Sequence, residues 1–223
     1  MSEVIIHPSA TVVLLHDDAD GIKTLLLKRN AKVSFGGGEW VFPGGKIEAA
    51  ELEKHADDAE RVAAVRECKE EAGILLTPDA LQKYSHWVTP DFMPKRFSTG
   101  FYLAQLDNQL PVLVDNSEIV DYRWVSPAEA LAQYARGELP MMPPTFVSLN
   151  DFVRFQATSE LLQHCQRRDP LVFEPRMLRH NERVYLLYSG DCAYESADAS
   201  AEGRRHRLLM SESGYEYICD QPI

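Results

Sequence analysis

The stretch Arg66-Glu67-Cys68-Lys69-Glu70-Glu71-Ala72-Gly73-Ile74 decides how this chain is read. With Glu67 at zero and about 100° per residue, Glu70 falls near 300° and Glu71 near 40°, so three carboxylates share one arc of roughly 100°. Val65, Cys68 and Ala72 fall on the opposite side, where they can face a core. Like charges at i, i+3 and i+4 repel by roughly a few tenths of a kcal/mol per pair. A bound cation removes that cost, and carboxylate oxygens suit hard ions such as magnesium and manganese. Taken alone, the helix reads equally well as a solvated, glutamate-rich face.

Working outward, the helical pattern runs from about Asp58 to Ala72, with Gly73 placed to stop it. Upstream lies a glycine-dense loop, Gly36-Gly37-Gly38, then Trp40-Val41-Phe42-Pro43-Gly44-Gly45, whose glycines let backbone approach a ligand closely. Ala10 to His16 and Lys23 to Arg29 read as paired strands across the polar turn Asp17 to Gly21. Further strands are predicted at Tyr84 to Thr89, Thr99 to Leu106 and Ile119 to Val125. Ser126-Pro127-Ala128-Glu129 has a serine N-cap, proline at the first position and a glutamate to close a capping box, for a helix ending near Gly137. The proline cluster Pro140 to Pro144 marks the end of the first unit. Phe146 to Gln166 reads as a helix, and Val184 to Tyr188, Arg205 to Met210 and Tyr215 to Ile218 as short strands. This order predicts an α/β protein, a mixed sheet covered by helices. The tail after about residue 145 is expected to pack on the first unit.

Taken as a unit, these motifs resemble those of a Nudix hydrolase. The family's box is a glycine, five residues, a glutamate, seven residues, then Arg-Glu-apolar-x-Glu-Glu-x-Gly-apolar. Gly45 and Glu51 match its first spacing, and Arg66 to Ile74 match its whole second half, with Cys68 at the apolar position. The chain departs at one point: fourteen residues separate Glu51 from Arg66. Seven extra residues are almost two helical turns, so a helix extended backwards would keep its carboxylate face continuous through Glu60. A looped-out insertion is the other reading. Asp58 holds the family's spacing from Arg66, so Glu51 and Asp58 both remain candidates for the first acidic position.

The resemblance implies a Nudix-type α/β/α sandwich in residues 1–144, with a helical and β extension in 145–223. It implies that Glu67, Glu70 and Glu71 ligate Mg2+ or Mn2+ together with the Gly45 carbonyl, and that Arg66 orients a carboxylate. The chemistry implied is attack of an activated water on a phosphorus of a diphosphate. In some members the base is a glutamate on a later loop, for which Glu118 is the candidate here, its bland reading being a surface glutamate.

Trp87-Val88-Thr89-Pro90, Pro94-Lys95-Arg96-Phe97, Thr99, Tyr122-Arg123-Trp124, Ser126-Pro127 and Met142-Pro143-Pro144 resemble the branch of the family that includes the peroxisomal coenzyme A diphosphatase. That branch's coenzyme A pattern is met in part: Leu25-Leu26, Gly38 and Phe42 to Gly45 fit, whereas Leu27, Asn30 and Ser34 replace its Thr, Ser and Arg. The expected substrate is therefore a small nucleoside diphosphate derivative, coenzyme A or an acyl derivative. ADP-ribose, a sugar nucleotide, or a regulator that binds a nucleotide without turnover are the alternatives. Lys95 and Arg96, in a proline-bounded loop, and Arg29 and Lys46, flanking the glycine loop, are the candidate phosphate partners; as a bland reading, Lys95 and Arg96 are solvated cations. Trp40 and Trp87 either stack on a base or belong to the core. His206, within Arg204-Arg205-His206-Arg207, is expected at the surface, without a role.

Bulk properties agree with this reading. A formal net charge of -11 argues against a nucleic-acid partner, which needs a basic footprint. An acidic protein binding an anion needs local cations. Cys68, Cys165, Cys192 and Cys219 are scattered, with no zinc-ligand spacing and no secretory signal, so free thiols in a cytoplasmic compartment are expected. No apolar run approaches the length of a membrane span. The C-terminal strands are left with two roles, a lid or a homodimer interface.

Overall fold

The computed structural model describes residues 5–220. Its organising element is β1 (Ile6–Asp18), which runs parallel to β6 (Arg96–Gln105) from Ile6↔Arg96 to Leu15↔Gln105. Along its other edge it changes partner. Residues 9–11 pair with β4 (Gly44–Lys46) and residues 15–18 with β2 (Gly21–Arg29), both antiparallel. A strand covered on both faces reads as a continuous apolar run, and Val12, Val13, Leu14 and Leu15 are all fully buried. The predicted β5 (Gln82–Val88) and β7 (Ile119–Val125) join on β6 and β2, and a short strand not predicted from the sequence, β3 (Trp40–Val41), adds to β2.

Helices cover both faces. On one, α2 (Ala59–Ala72) lays Ala59, Ala63, Ala64, Cys68 and Ala72 against Ala10, Val12, Leu14, Tyr102 and Ala104. Small residues on that stripe let the helix sit close to the sheet. It ends at Gly73, whose φ of 70° is the left-handed conformation that a side chain disfavours. On the other face, α3 (Pro127–Ala135) and α4 (Pro143–Phe152) pack Ala130, Phe146, Val147, Leu149 and Phe152 over Val13, Leu15, Leu26 and Leu103. The result is the expected α/β/α sandwich.

Several local expectations are corrected. The fourteen-residue separation is neither a continuous helix nor a bare loop: Glu51 lies in a separate helix, α1 (Ala49–His55), which Ala56–Asp58 turn off α2. Ser126 caps α3 by accepting the Glu129 amide, but the Glu129 carboxylate accepts from Gln133 instead of returning to the cap. The helix expected over Phe146 to Gln166 is broken into α4 and α5 (Thr158–Gln166). Its break is fixed from afar, because Asp17 on β1 accepts both the amide and the hydroxyl of Thr158 and so caps α5.

Beyond α5, β8 (Leu171–Phe173) adds in parallel to β5 at the sheet edge, and Phe173 stacks on Trp87 at 4.0 Å and 6°. A second, four-stranded antiparallel sheet follows, β9 (Arg176–His180), β10 (Arg183–Leu187), β11 (His206–Ser211) and β12 (Gly214–Cys219), in the order β12-β11-β10-β9. His206 is not at the surface. It is buried between the Ser189 carbonyl at 2.7 Å and the Tyr217 hydroxyl at 2.9 Å, and burial lowers its pKa. Arg207 is buried with it, donating twice to Asp191 at 2.7 and 2.5 Å, so this end of the basic run enters the core beside an inward carboxylate, while Arg204 stays exposed. Among the described residues, no helix is long and apolar enough to cross a membrane.

Candidate active site

The site forms where α2 crosses β4. Each glycine there is required by close approach. A Cβ on Gly44 would meet the Ala10 carbonyl and Thr11, while one on Gly45 would meet the Glu67 carboxylate. The Gly44 amide donates to Glu71 at 2.9 Å, fixing that carboxylate against the strand. Burial is the main force on Glu71, which is 5% exposed. With the charges of Glu67 and Glu118 it pushes the pKa up to about 8, against the opposing pull of the Gly44 amide and Arg29. Burial also raises Glu67, partly countered by Arg66.

Arg66, midway along α2, joins that helix to α1 and β4. Its Nε and Nη2 grip both oxygens of Glu51 at 2.8 and 3.3 Å, and Nη2 also donates to the Lys46 carbonyl at 2.8 Å. Nη1 donates to Glu67 at 2.8 Å and Glu70 at 2.9 Å. Bidentate pairing of this kind fixes orientation as well as charge. Burial works to raise Glu51, but the Arg66 bonds and the Glu48 amide hold it below the usual carboxylate range. Geometry therefore joins Glu51 to Arg66, whereas Asp58 pairs with Arg61 at 3.0 Å. Glu60, on the same helix face, is drawn away to Lys83 and Tyr102 at 2.7 and 2.6 Å, so the carboxylate face is not continuous through it.

Glu118, about half exposed, reaches the cluster from the other side. Arg29 donates to it at 2.5 Å and lies 3.9 Å from Glu71, bridging the two carboxylates. The loop that carries Glu118 is pinned by Asp115, whose carboxylate accepts the amides of Glu118 at 2.9 Å and Ile119 at 2.8 Å. Asp115 was not anticipated; its only sequence signal is a turn-forming Asp-Asn-Ser before a strand. Arg29, expected as a phosphate partner, lies between the Glu118 and Glu71 carboxylates.

The remaining predicted cations are less gathered. Lys46 is exposed on β4 beside Gly45. Lys95 reaches Ser34 at 3.5 Å and sits over the Phe97 ring at 5.4 Å. Arg96 is turned onto its own hairpin, donating to the Thr89 carbonyl at 3.0 Å. Trp40 and Trp87 are 1% and 5% exposed, so both belong to the core.

Among the described residues, no three carboxylate, imidazole or thiol side chains converge into a ready-made cation cage; Arg66 pairs with Glu67 and Glu70, and Arg29 with Glu118. The donor set nevertheless fits a hard divalent ion: oxygen ligands only, grouped around a buried carboxylate whose charge is incompletely offset.

Comparison with known proteins identifies the family. The NUDIX domain family matches residues 6–144. The putative nudix hydrolase 7 of Caenorhabditis elegans is 27% identical over 207 residues, spanning 77% of this chain and 70% of that protein. The acyl-coenzyme A diphosphatase NUDT19 of Homo sapiens is 26% identical over 283 residues, spanning 81% and 74%. A solved NUDIX hydrolase from Alicyclobacillus acidocaldarius superposes with a TM-score of 0.66 at 23% identity, covering 73% of this chain and 97% of that one, which shows the shared fold. The chain belongs to the Nudix hydrolase family and is an enzyme acting on diphosphate bonds.

Proposed function

We propose that this enzyme hydrolyses the diphosphate bond of coenzyme A or an acyl-coenzyme A in a magnesium- or manganese-dependent reaction. One observation carries the reading: Gly44 fixes Glu71 and Gly45 lies against Glu67, while Arg66 links Glu67 to Glu70 and Arg29 links Glu71 to Glu118. The similarity to proteins named acyl-coenzyme A diphosphatase supports the substrate class. ADP-ribose and sugar nucleotides would use the same carboxylates and are the alternative substrates.

Glu67, Glu70, Glu71 and the Gly45 carbonyl would hold the divalent ion, which supplies charge neutralisation for the diphosphate and acidifies a water. The rest is the work of this chain's own residues. Gly44 fixes Glu71 through its amide, and Glu51 holds the Arg66 guanidinium so that Glu67 and Glu70 are aimed together. Glu118 takes the proton of the attacking water, positioned by Asp115 through the backbone and by Arg29 through its carboxylate. Lys95 and Lys46 offer cations to the phosphates of an otherwise acidic protein. Residues 145–223 serve as an extension packed on the 1–144 unit, tied by Asp17 to Thr158 and Trp87 to Phe173. Four free thiols support a reducing, cytoplasmic setting.

The test is turnover by Glu67→Gln and Glu70→Gln variants with either metal. Each should lose on the order of a hundredfold or more in kcat while melting like the parent protein. Full activity in either variant would overturn the site assignment.

A further inference from the structure

Between β2 and β3 the chain makes a compact loop, residues 30–39, that is tied to the carboxylate cluster. Arg29 accepts the Gly38 amide and donates its own amide to Glu39, both at 3.0 Å. Asn30 donates to the carbonyls of Glu118 and Ser117 at 2.7 and 2.9 Å. A Cβ on Gly37 would collide with the carbonyls of Ala31 and Val33, so the loop is folded on itself. At its tip stands Phe35, half-buried. Its carbonyl accepts from Arg29 Nε at 3.2 Å, and the same guanidinium donates to Glu118 at 2.5 Å. One guanidinium and two hydrogen bonds place the Phe35 backbone within about 8 Å of the Glu118 carboxylate.

The Phe35 ring is backed by Phe97, with centroids 5.0 Å apart and planes at 55°, and Phe97 is backed in turn by His7 at 5.8 Å. Lys95 lies over Phe97 and reaches toward Ser34. Among the described residues Lys95 has no carboxylate in ion-pair range, in a chain with 34 acidic and 23 basic residues. An aromatic ring whose backbone is tied to Arg29, with an ammonium over the neighbouring Phe97 and the carboxylates one guanidinium away, matches the layout of a nucleoside 5′-diphosphate. In such a molecule a flat base and an anionic chain are separated by one pentose. Aromatic faces accept any base by stacking, and a neighbouring cation selects those that carry an extra phosphate.

We infer that Phe35, supported by Phe97, is the stacking platform for the nucleobase of the substrate, and that Lys95 receives a phosphate ester on the adjoining sugar. This rests on the proposed hydrolysis of an adenosine-containing diphosphate and names the part of the site that selects it. Coenzyme A carries such a 3′-phosphate; dephospho-coenzyme A and ADP-ribose do not, so Lys95 separates the substrate classes that the carboxylates cannot.

The experiment measures equilibrium binding of adenosine 3′,5′-bisphosphate and of AMP, with magnesium, alongside turnover of coenzyme A and dephospho-coenzyme A. Phe35→Ala should weaken both nucleotides by about 10- to 100-fold, and Phe35→Tyr should restore them. Lys95→Met should weaken the bisphosphate by about 5- to 10-fold, leave AMP unchanged, and equalise turnover of the two coenzyme A forms. Unchanged binding in Phe35→Ala, equal loss of both nucleotides in Lys95→Met, or no binding of either nucleotide by the parent would overturn the inference. Binding that follows the expected pattern without cleavage would uphold the platform and refute the hydrolytic reading, so the two failures are distinct.

Discussion

Replacing Glu71 with glutamine should make the metal-free enzyme more stable at pH 8 while removing its activity. Glu71 is buried, its carboxylate accepts the Gly44 amide at 2.9 Å, and Arg29 is 3.9 Å away. Burial, then the charges of Glu67 and Glu118, raise its pKa from 4.5 to about 8. A carboxyl whose folded pKa exceeds its unfolded value is protonated first in the folded state. Its stabilising contribution is complete below about pH 4.5 and is lost as the pH rises through about 8. At about 1.4 kcal/mol per pH unit, the full displacement sets a ceiling of roughly 4–5 kcal/mol, and relaxation of the site should leave about 2–4. Glutamine keeps an acceptor for the Gly44 amide and carries no charge, so it escapes this loss. For a chain of this length that gap corresponds to roughly 5–15 °C in Tm. Thermal unfolding in chelator from pH 5 to 8.5 should show parent and variant diverging as the pH rises, the variant melting higher at pH 8. Added magnesium should narrow or reverse the gap, because only the parent keeps the full ligand set. A variant that melts below the parent at pH 8 in chelator, or a gap independent of pH, would refute the account of Glu71.

Two further substitutions separate chemistry from architecture. Gly45→Ala pushes a methyl into the Glu67 carboxylate, the far end of a flexible side chain, so it should cost about 1 kcal/mol or less of stability yet lower kcat at least about tenfold. Gly44→Ala meets the Ala10 backbone, so it should cost about 2 kcal/mol or more; denaturant melts and kinetics on both variants check the contrast. Phe173→Ala empties a fully buried ring position stacked on Trp87 and should cost about 3–5 kcal/mol in denaturant unfolding; a loss under about 1 kcal/mol would mean that β8 is not secured to the sheet.

How much of this was legible in the sequence depends on whether the cause is local. The α2 boundaries follow from apolar spacing and Gly73, and the β1–β2 hairpin from two apolar runs across a polar turn. The carboxylate arc follows from helical geometry alone. What could not be read depends on partners distant in sequence. Glu51 satisfies the spacing from Gly45 and Asp58 the spacing to Arg66, and only the turn after α1 brings Glu51 onto Arg66. Arg29 looks free until residue 118 folds back to it, 89 positions later. Asp17 interrupts a helix 141 residues away, and Asp191 turns the exposed-looking Arg207 into core. At three residues, β8 is too short for its pattern to register.

The central claim, metal-dependent cleavage of a diphosphate in a nucleotide-containing molecule, is tested most directly by a product-resolved screen. Purified enzyme with magnesium or manganese is incubated with coenzyme A, acetyl-coenzyme A, ADP-ribose and sugar nucleotides, and the products are weighed by mass spectrometry. The account predicts a phosphopantetheine product and adenosine 3′,5′-bisphosphate from coenzyme A, abolished by chelator. No cleavage of any of these compounds, by protein that demonstrably binds the metal, would contradict it.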